Sequence, residues 1–425
     1  MITDYLDPAH APVEPPTRAQ MSQATRDLHD GIDRNAPWLH PERRTIQRDL
    51  VGSAEVVAWQ EAKVGFMLRG DGAWSELPHL YARYGTPGTA ELIAKLRELE
   101  GARCGIVVDS GMQAVALVAD QLVQRGVHGI VMRQVYNKTR TFFEASAKRV
   151  GATITLVDDG DHAAIAAALT PQTGFIFAET FTNPLVRAQD IAALAELAGR
   201  VPGCRLVIDS TIATPWAFAT PLLARGVDLV VGSLTKALGG QDTALGGYIA
   251  TDDAELANQI MDTIAMRGGI LDDERARRVT WNLAMAREHH AQRCATAVKV
   301  ASFLARHPRI ESVFHPSLAT HPDAAVIARD YTRTGSLLSF RVTGANELEH
   351  RAIADTLVAT GIPRFALSFD GLVTKVNHHR TVSEYFTPQE TVERLGIERL
   401  IRIGIGLEDA DDLIACFNWA LHRHA

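Results

Sequence analysis

The chain has little cysteine: four residues in 425, at positions 104, 204, 294 and 416. None stands in Cys-x-x-Cys spacing, which argues against structural zinc and against a disulfide framework, so a reducing, cytoplasmic setting is expected. Positive charge is not in excess either. Lys and Arg number 43 against 50 Asp and Glu, a formal net charge of −7, so neither a nucleic acid nor an anionic membrane is an expected partner. No run approaches the roughly 20 apolar residues that a membrane helix needs. Residues 1–8 offer neither the basic start nor the apolar stretch of a signal peptide. Internal repeats and low-complexity segments are missing as well. What is there is ordinary for a soluble globular protein, with 46% hydrophobic and 22% charged residues, and the length suits two or more structural regions.

Residues 1–60 are polar, with Pro8, Pro12, Pro15 and Pro16, and read as an extended arm with one or two helices. From Thr89 the pattern turns regular. Leu92, Ile93, Leu96 and Leu99 line one face of a helix that Gly101 stops. Short apolar runs follow at 105–108, 129–132, 153–157, 174–178, 205–208 and 227–231. Ala- and Leu-rich segments at 111–124, 138–149, 161–168 and 188–199 are long enough for helices between them. Strands alternating with helices at this interval predict an α/β fold, a mostly parallel sheet flanked by helices. Residues 273–306 are nearly free of Gly and Pro and read as one long helix or a pair. Strands at 337–342 and 400–405 and helices at 347–360 and 410–424 suggest a smaller α+β region. The expected division is an arm over 1–80, an α/β domain over 81–274 and an α+β domain over 275–425.

Open α/β sheets bind ligands beyond the strand ends, and five loops there carry polar groups. The loop Gly232-Ser233-Leu234-Thr235-Lys236 suits a lysine in Schiff-base linkage to a carbonyl cofactor, beside hydroxyls that hold a phosphate. An ordinary surface lysine after a core strand is the other reading. Ser110-Gly111-Met112 opens a helix, whose free N–H groups and dipole favour a phosphate; a plain Ser N-cap is the alternative. Tyr136 either stacks on an aromatic cofactor or packs at the domain surface. Asn183 precedes Pro184, which aims its amide rigidly, unless it serves only the turn. Asp209 is a lone acid ending a buried strand, where a charge needs a cationic partner. A protonated pyridine nitrogen would be one; capping the next helix is the competing role.

The order of these elements is more specific than any one of them. Tyr81-Ala82-Arg83-Tyr84-Gly85, Ser110-Gly111-Met112, Tyr136, Glu179-Thr180 with Asn183-Pro184, Asp209-Ser210-Thr211 with Ala213-Thr214-Pro215, and Ser233-Leu234-Thr235-Lys236 together resemble the Cys/Met-metabolism family of pyridoxal 5'-phosphate (PLP) enzymes. Cystathionine γ-synthases, cystathionine γ-lyases and methionine γ-lyases are among its members. The resemblance runs from about residue 81 to 247 and resumes over 335–419. It implies PLP fold type I, the aspartate-aminotransferase-like architecture. Lys236 would hold the cofactor through an imine and shuttle protons, Asp209 would pair with the pyridinium nitrogen, and Asn183 would bond the phenolic oxygen. Gly111, Met112, Ser233 and Thr235 would hold the phosphate, and Ser110 and Thr211 would join the cofactor contacts. Tyr136 would stack on the ring and assist the leaving group. Tyr81 and Arg83 would reach the phosphate of a neighbouring subunit, Tyr81 touching substrate too, which implies an oligomer: a homotetramer built from dimers that share sites, or a dimer. Arg402, with Ser368, would bind the substrate α-carboxylate, a task suited to a bidentate guanidinium.

The chain departs from the family where the distal part of the substrate is recognised. Thr86-Pro87-Gly88-Thr89 replaces the usual Asn-Pro-Thr, Lys138 stands where methionine γ-lyases place a Cys, and Val373 stands where γ-specific members carry a Glu. His378-His379 replaces a His-Pro; this pair and His289-His290 are not expected to bind metal, because adjacent side chains point apart. Lys138 and Arg140 either meet an anionic group on the substrate or form a solvated helix start. The expected activity is elimination from an amino acid of the methionine, cystathionine or homoserine type, giving a 2-oxo acid and ammonia. γ-Replacement, as in a cystathionine γ-synthase or a sulfhydrylase, is the alternative, and a non-catalytic binding protein on the same fold is the competing class.

Overall fold

The computed structural model describes residues 19, 22–23, 52–69, 77, 79–239 and 242–424. Most of the arm expected over 1–80 therefore lies outside the described residues. Within that span helix α1, Ser53–Arg69, is described, and Lys63 on it pairs with Asp262 at 3.1 Å.

Helix α2, Pro87–Glu100, starts where Thr86 and Thr89 cap each other reciprocally, and it ends at Gly101 with φ 61°, a left-handed conformation suited to glycine. Its face of Leu92, Ile93 and Leu96 is buried, as the helical spacing predicts. There follow β1 (Cys104–Val108), α3 (Gly111–Leu122), β2 (His128–Met132), α4 (Asn137–Val150), β3 (Thr153–Val157) and α5 (His162–Ala168). Next come β4 (Thr173–Glu179), α6 (Ile191–Gly199), β5 (Arg205–Asp209), β6 (Leu229–Ser233), β7 (Gly247–Thr251) and α7 (Ala254–Arg267). The strands form one sheet in the order β1-β7-β6-β5-β4-β2-β3. All pair in parallel except β7, which runs antiparallel between β1 and β6. Helices therefore flank a mostly parallel sheet.

Two features of this sheet differ from the reading of the sequence. β7 was not expected, and β6 lies two residues later than the run at 227–231. Asp228 is held in the turn by Arg205 at 3.1 Å and by the Leu206 N–H, so pairing starts at Leu229. At the other end β7 extends the ladder through Gly232↔Tyr248 and Ser233↔Gly247. A Cβ on Gly232 would lie 2.4 Å from the Tyr248 ring, so glycine permits this strand to continue.

Helix α8, Asp273–Arg306, is a single helix of 34 residues, capped by Asp272, which accepts from the Arg275 N–H. Ala276 and Val279 on its first turns join the main core, whereas Ala297, Val300, Ala301 and Leu304 join a second. Beyond it a five-stranded sheet combines β8 (Ile310–Phe314), β9 (Leu337–Val342), β10 (Arg364–Phe365), β11 (Lys375–His378) and β12 (Ile401–Gly404). Helices Glu347–Ala359 and Ala410–Arg423 pack their apolar faces, Ile353, Leu357, Leu413 and Phe417 among them, into this smaller core. The sheet presents Arg402 from β12 toward the larger region.

Candidate active site

The parallel strands end around a cavity of about 710 Å³. β1 delivers Ser110, whose hydroxyl donates to Asp109 at 2.9 Å and accepts from the Gln113 N–H at 3.2 Å, capping α3. The Gly111 and Met112 N–H groups belong to the first helical turn and have no protein acceptor among the described residues. β6 delivers Ser233 opposite them, and a Cβ on Gly111 would lie 2.8 Å from that of Ser233. Glycine at 111 thus lets a helix N-terminus and a hydroxyl approach one another, leaving a donor-rich cradle. The Thr235 hydroxyl lines the same cavity and donates to the Gly246 carbonyl at 3.3 Å.

The floor is acidic. β4 and β5 end in register with Glu179 opposite Asp209. Asp209 accepts from the Thr211 N–H at 2.9 Å, and the Thr211 hydroxyl in turn accepts from the Ser233 N–H at 2.9 Å. Asp209 does not cap a helix, because residues 210–214 form a turn. Desolvation raises its carboxyl above the usual range, with the Thr211 hydrogen bonds opposing. Glu179 lies well above that range, through burial first and the neighbouring Asp209 charge second. Among the described residues no Lys or Arg forms an ion pair with either acid. Tyr136 stands at the rim, 42% exposed, and its N–H donates to Glu179 at 2.6 Å.

Lys236 enters from the turn after β6. Its amine donates to the Ser368 hydroxyl and lies 4.6 Å from the centre of the Phe369 ring. Burial pulls this amine down to about 8; Asp370 opposes the fall, whereas Arg402 adds to it. Arg402 is 3% exposed, donates to Asn183 Oδ1 at 3.2 Å and to the Leu367 carbonyl at 3.2 Å, and has no acidic partner among the described residues. Burial lowers it to about 10. With its oxygen taken by Arg402, Asn183 keeps its NH2 free of any protein acceptor among the described residues.

The structure brings Ser110, Gly111, Met112, Tyr136, Asn183, Asp209, Thr211, Ser233, Thr235, Lys236, Ser368 and Arg402 to this one cavity. Tyr81 and Arg83 are elsewhere on the same chain, the Arg83 guanidinium lying 5.1 Å from the Tyr81 ring centre. Lys138 lines the mouth, but the Arg140 guanidinium turns back to the Arg133 carbonyl at 2.7 Å. His378 and His379 are buried, and among the described residues no group of three or more His, Cys, Asp or Glu could hold a metal. Reading the sequence missed the roles of Glu179 and Phe369. Glu179 carries a signal, being a second acid that ends a buried strand; Phe369 carries none before its loop folds over Lys236. The aromatic rim of Tyr385 and Phe386, and the Asn137 amide that donates to the Ser383 carbonyl, were also not legible.

The family described as Cys/Met metabolism PLP-dependent enzymes matches residues 62–422. A chloroplastic cystathionine gamma-synthase of Arabidopsis thaliana is 33% identical over 79% of this chain, and the match spans 58% of that relative's own length. Cystathionine beta-lyase MetC of Bacillus subtilis is 34% identical over 81% of this chain and 86% of its own. The crystal structure of metB from Corynebacterium glutamicum superposes with a TM-score of 0.80 at 25% identity, covering 96% of this chain and all of that one. Similarity of this extent in sequence and in fold leaves one assignment: the chain belongs to the Cys/Met-metabolism family of PLP-dependent enzymes, on fold type I.

Proposed function

We propose that the protein is a lyase that eliminates a β- or γ-leaving group from an L-amino acid of the methionine, cystathionine or homoserine type, releasing a 2-oxo acid and ammonia. One observation carries the reading: a single cavity holds Lys236 together with Asp209, an acid with no cationic partner among the described residues, and Arg402, a guanidinium with no acidic one among them. The residues fit PLP. Asp209 has no cationic partner among the described residues, a part that a protonated ring nitrogen would fill, and the cradle of Gly111, Met112 and Ser233 is open to a phosphate. Thr211, Asn183 and the Tyr136 ring complete the holding residues in this proposal, with Ser110 as the cap of α3 and Thr235 beside Ser233. When bound, the cofactor supplies an electron sink for carbanions at Cα and Cβ.

Lys236, lowered to about 8, keeps a neutral fraction near neutral pH and so serves as nucleophile and as carrier of protons at its Nζ. Arg402 binds the substrate α-carboxylate, aided by Ser368, and Tyr136 stands where a leaving group departs. Lys138 gives the mouth a positive charge that suits an anionic leaving group. Tyr81 and Arg83 act on a neighbouring subunit's site, in a homotetramer of site-sharing dimers, and the scarcity of cysteine supports a cytoplasmic enzyme. The competing reading is γ-replacement, which the roomy cavity accommodates.

The test incubates the PLP-loaded protein with methionine, cystathionine and homoserine esters bearing neutral or anionic acyl groups, with and without a thiol. Thiol-independent release of 2-oxo acid is expected, whereas thioether formation that needs the thiol would establish replacement. Lys236→Ala should abolish both turnover and the visible band of the bound cofactor. Full activity in that variant would overturn the assignment.

A further inference from the structure

The segment that carries Tyr136 is pinned by its backbone to buried acids. The Gln134 N–H donates to Asp159 at 3.0 Å and the Tyr136 N–H to Glu179 at 2.6 Å. Asp159 is fixed in turn by the Gln189 amide at 2.8 Å. The Tyr136 side chain makes no hydrogen bond among the described residues, so its place at the rim is set from its backbone. Glu179 is 6% exposed and sits beside Asp209 in the β4–β5 register. The Asp209 charge so placed disfavours ionisation of Glu179.

We propose that Glu179 is a positioning residue for Tyr136, fixing the backbone of that residue as an uncharged acceptor and leaving Asp209 as the single anionic group on the cavity floor. This rests on the PLP reading, since a single floor charge matters when Asp209 faces a cationic ring nitrogen. Burial is the largest influence holding Glu179 above the usual carboxylate range, and Asp209 from β5 and Asp159 from the loop after β3 add to it. The Tyr136 N–H at the start of α4 opposes them. A glutamine at 179 would keep an oxygen for that N–H and carry no charge. Alanine would remove the acceptor and leave the N–H unpaired.

The test uses the full-length, PLP-loaded protein with Glu179→Gln, Glu179→Ala, Tyr136→Ala and the double variant, measuring the cofactor band against pH, and kcat and KM separately. Glu179→Gln should keep the band and hold kcat/KM within about threefold of the parent. Glu179→Ala should lose about tenfold or more in kcat with little change in KM, and should add no further loss to Tyr136→Ala, because groups that act as one unit are not additive. If Glu179→Gln is displaced in its band and loses about tenfold or more in kcat, a charge is required and the proposal is overturned; this arm decides even if the alanine variant does not fold. Equal losses from Glu179→Ala in both backgrounds would also overturn it, since the action would not run through Tyr136. Failure of the PLP reading looks different: the parent protein itself would take up no cofactor through Lys236.

Discussion

Lys236 illustrates how a functional residue strains the fold that carries it. In the cofactor-free protein its amine is buried and titrates at about 8 rather than 10.5. Below pH 8 the amine is charged in both the folded and the unfolded chain, and only the folded chain has to desolvate it. The penalty is therefore fully present below the folded value, is relieved as pH rises, and is gone above the unfolded value. A shift of this size corresponds to about 3 kcal/mol at most, and to about 1–2 kcal/mol once partial solvent access is allowed for. Lys236→Met should accordingly raise the melting temperature of the cofactor-free protein at pH 7 by about 1–2 °C, and the gain should shrink towards pH 10.5. Thermal unfolding of both proteins across that range checks this; a gain independent of pH would point to packing instead. Residue identities of this kind were legible in the sequence, because Ser233, Lys236 and Asp209 follow apolar strands. Their states were not: burial, which sets the pKa, exists only after the chain has folded.

At the scale of elements, the site depends on how closely α3 approaches β6. The sequence shows glycines at 111, 232 and 247, and alternating strands and helices, so the parallel part of the sheet could be read from it. It did not reveal that β7 returns antiparallel between β1 and β6, because a five-residue run with glycine at its head carries little periodicity. That return places Gly247 against the Ser110 carbonyl, where a Cβ would lie 2.2 Å away, and so helps bring the start of α3 to Ser233. Gly111→Ala tests the approach. Its Cβ would lie 2.8 Å from the Ser233 Cβ, so one element must move, at a cost of about 1–3 kcal/mol. We expect PLP affinity to fall by about tenfold or more while circular dichroism remains that of the parent, since the change lies at the rim of the sheet. Cofactor titration followed by the visible band measures it, and unchanged affinity would show that the cradle is formed elsewhere.

At the scale of the molecule, two cores share one helix, and the cavity lies between the strand ends of the larger sheet and residues brought by the smaller one. The sequence suggested both regions, yet the meeting of Arg402 with Asn183 joins positions 219 residues apart, a contact that no local pattern records. Tyr81 and Arg83 raise the same question between chains, for neither lines the cavity of its own chain. Large apolar side chains are also left exposed on the described surface, with Trp281 at 82% and Met266 at 74%. If Arg83 serves a neighbour's site, a mixed dimer of Lys236→Ala and Arg83→Ala protomers contains one site carrying both changes and one carrying neither. Random mixing makes half of the dimers mixed, each with one intact site of two. Two inactive proteins should then recover about a quarter of the parent activity when unfolded together and refolded. Recovery no greater than the sum of the separate residual activities would place Arg83 in its own chain's chemistry or outside the chemistry altogether. Recovery near a quarter can arise only where the site is built from two copies of this chain.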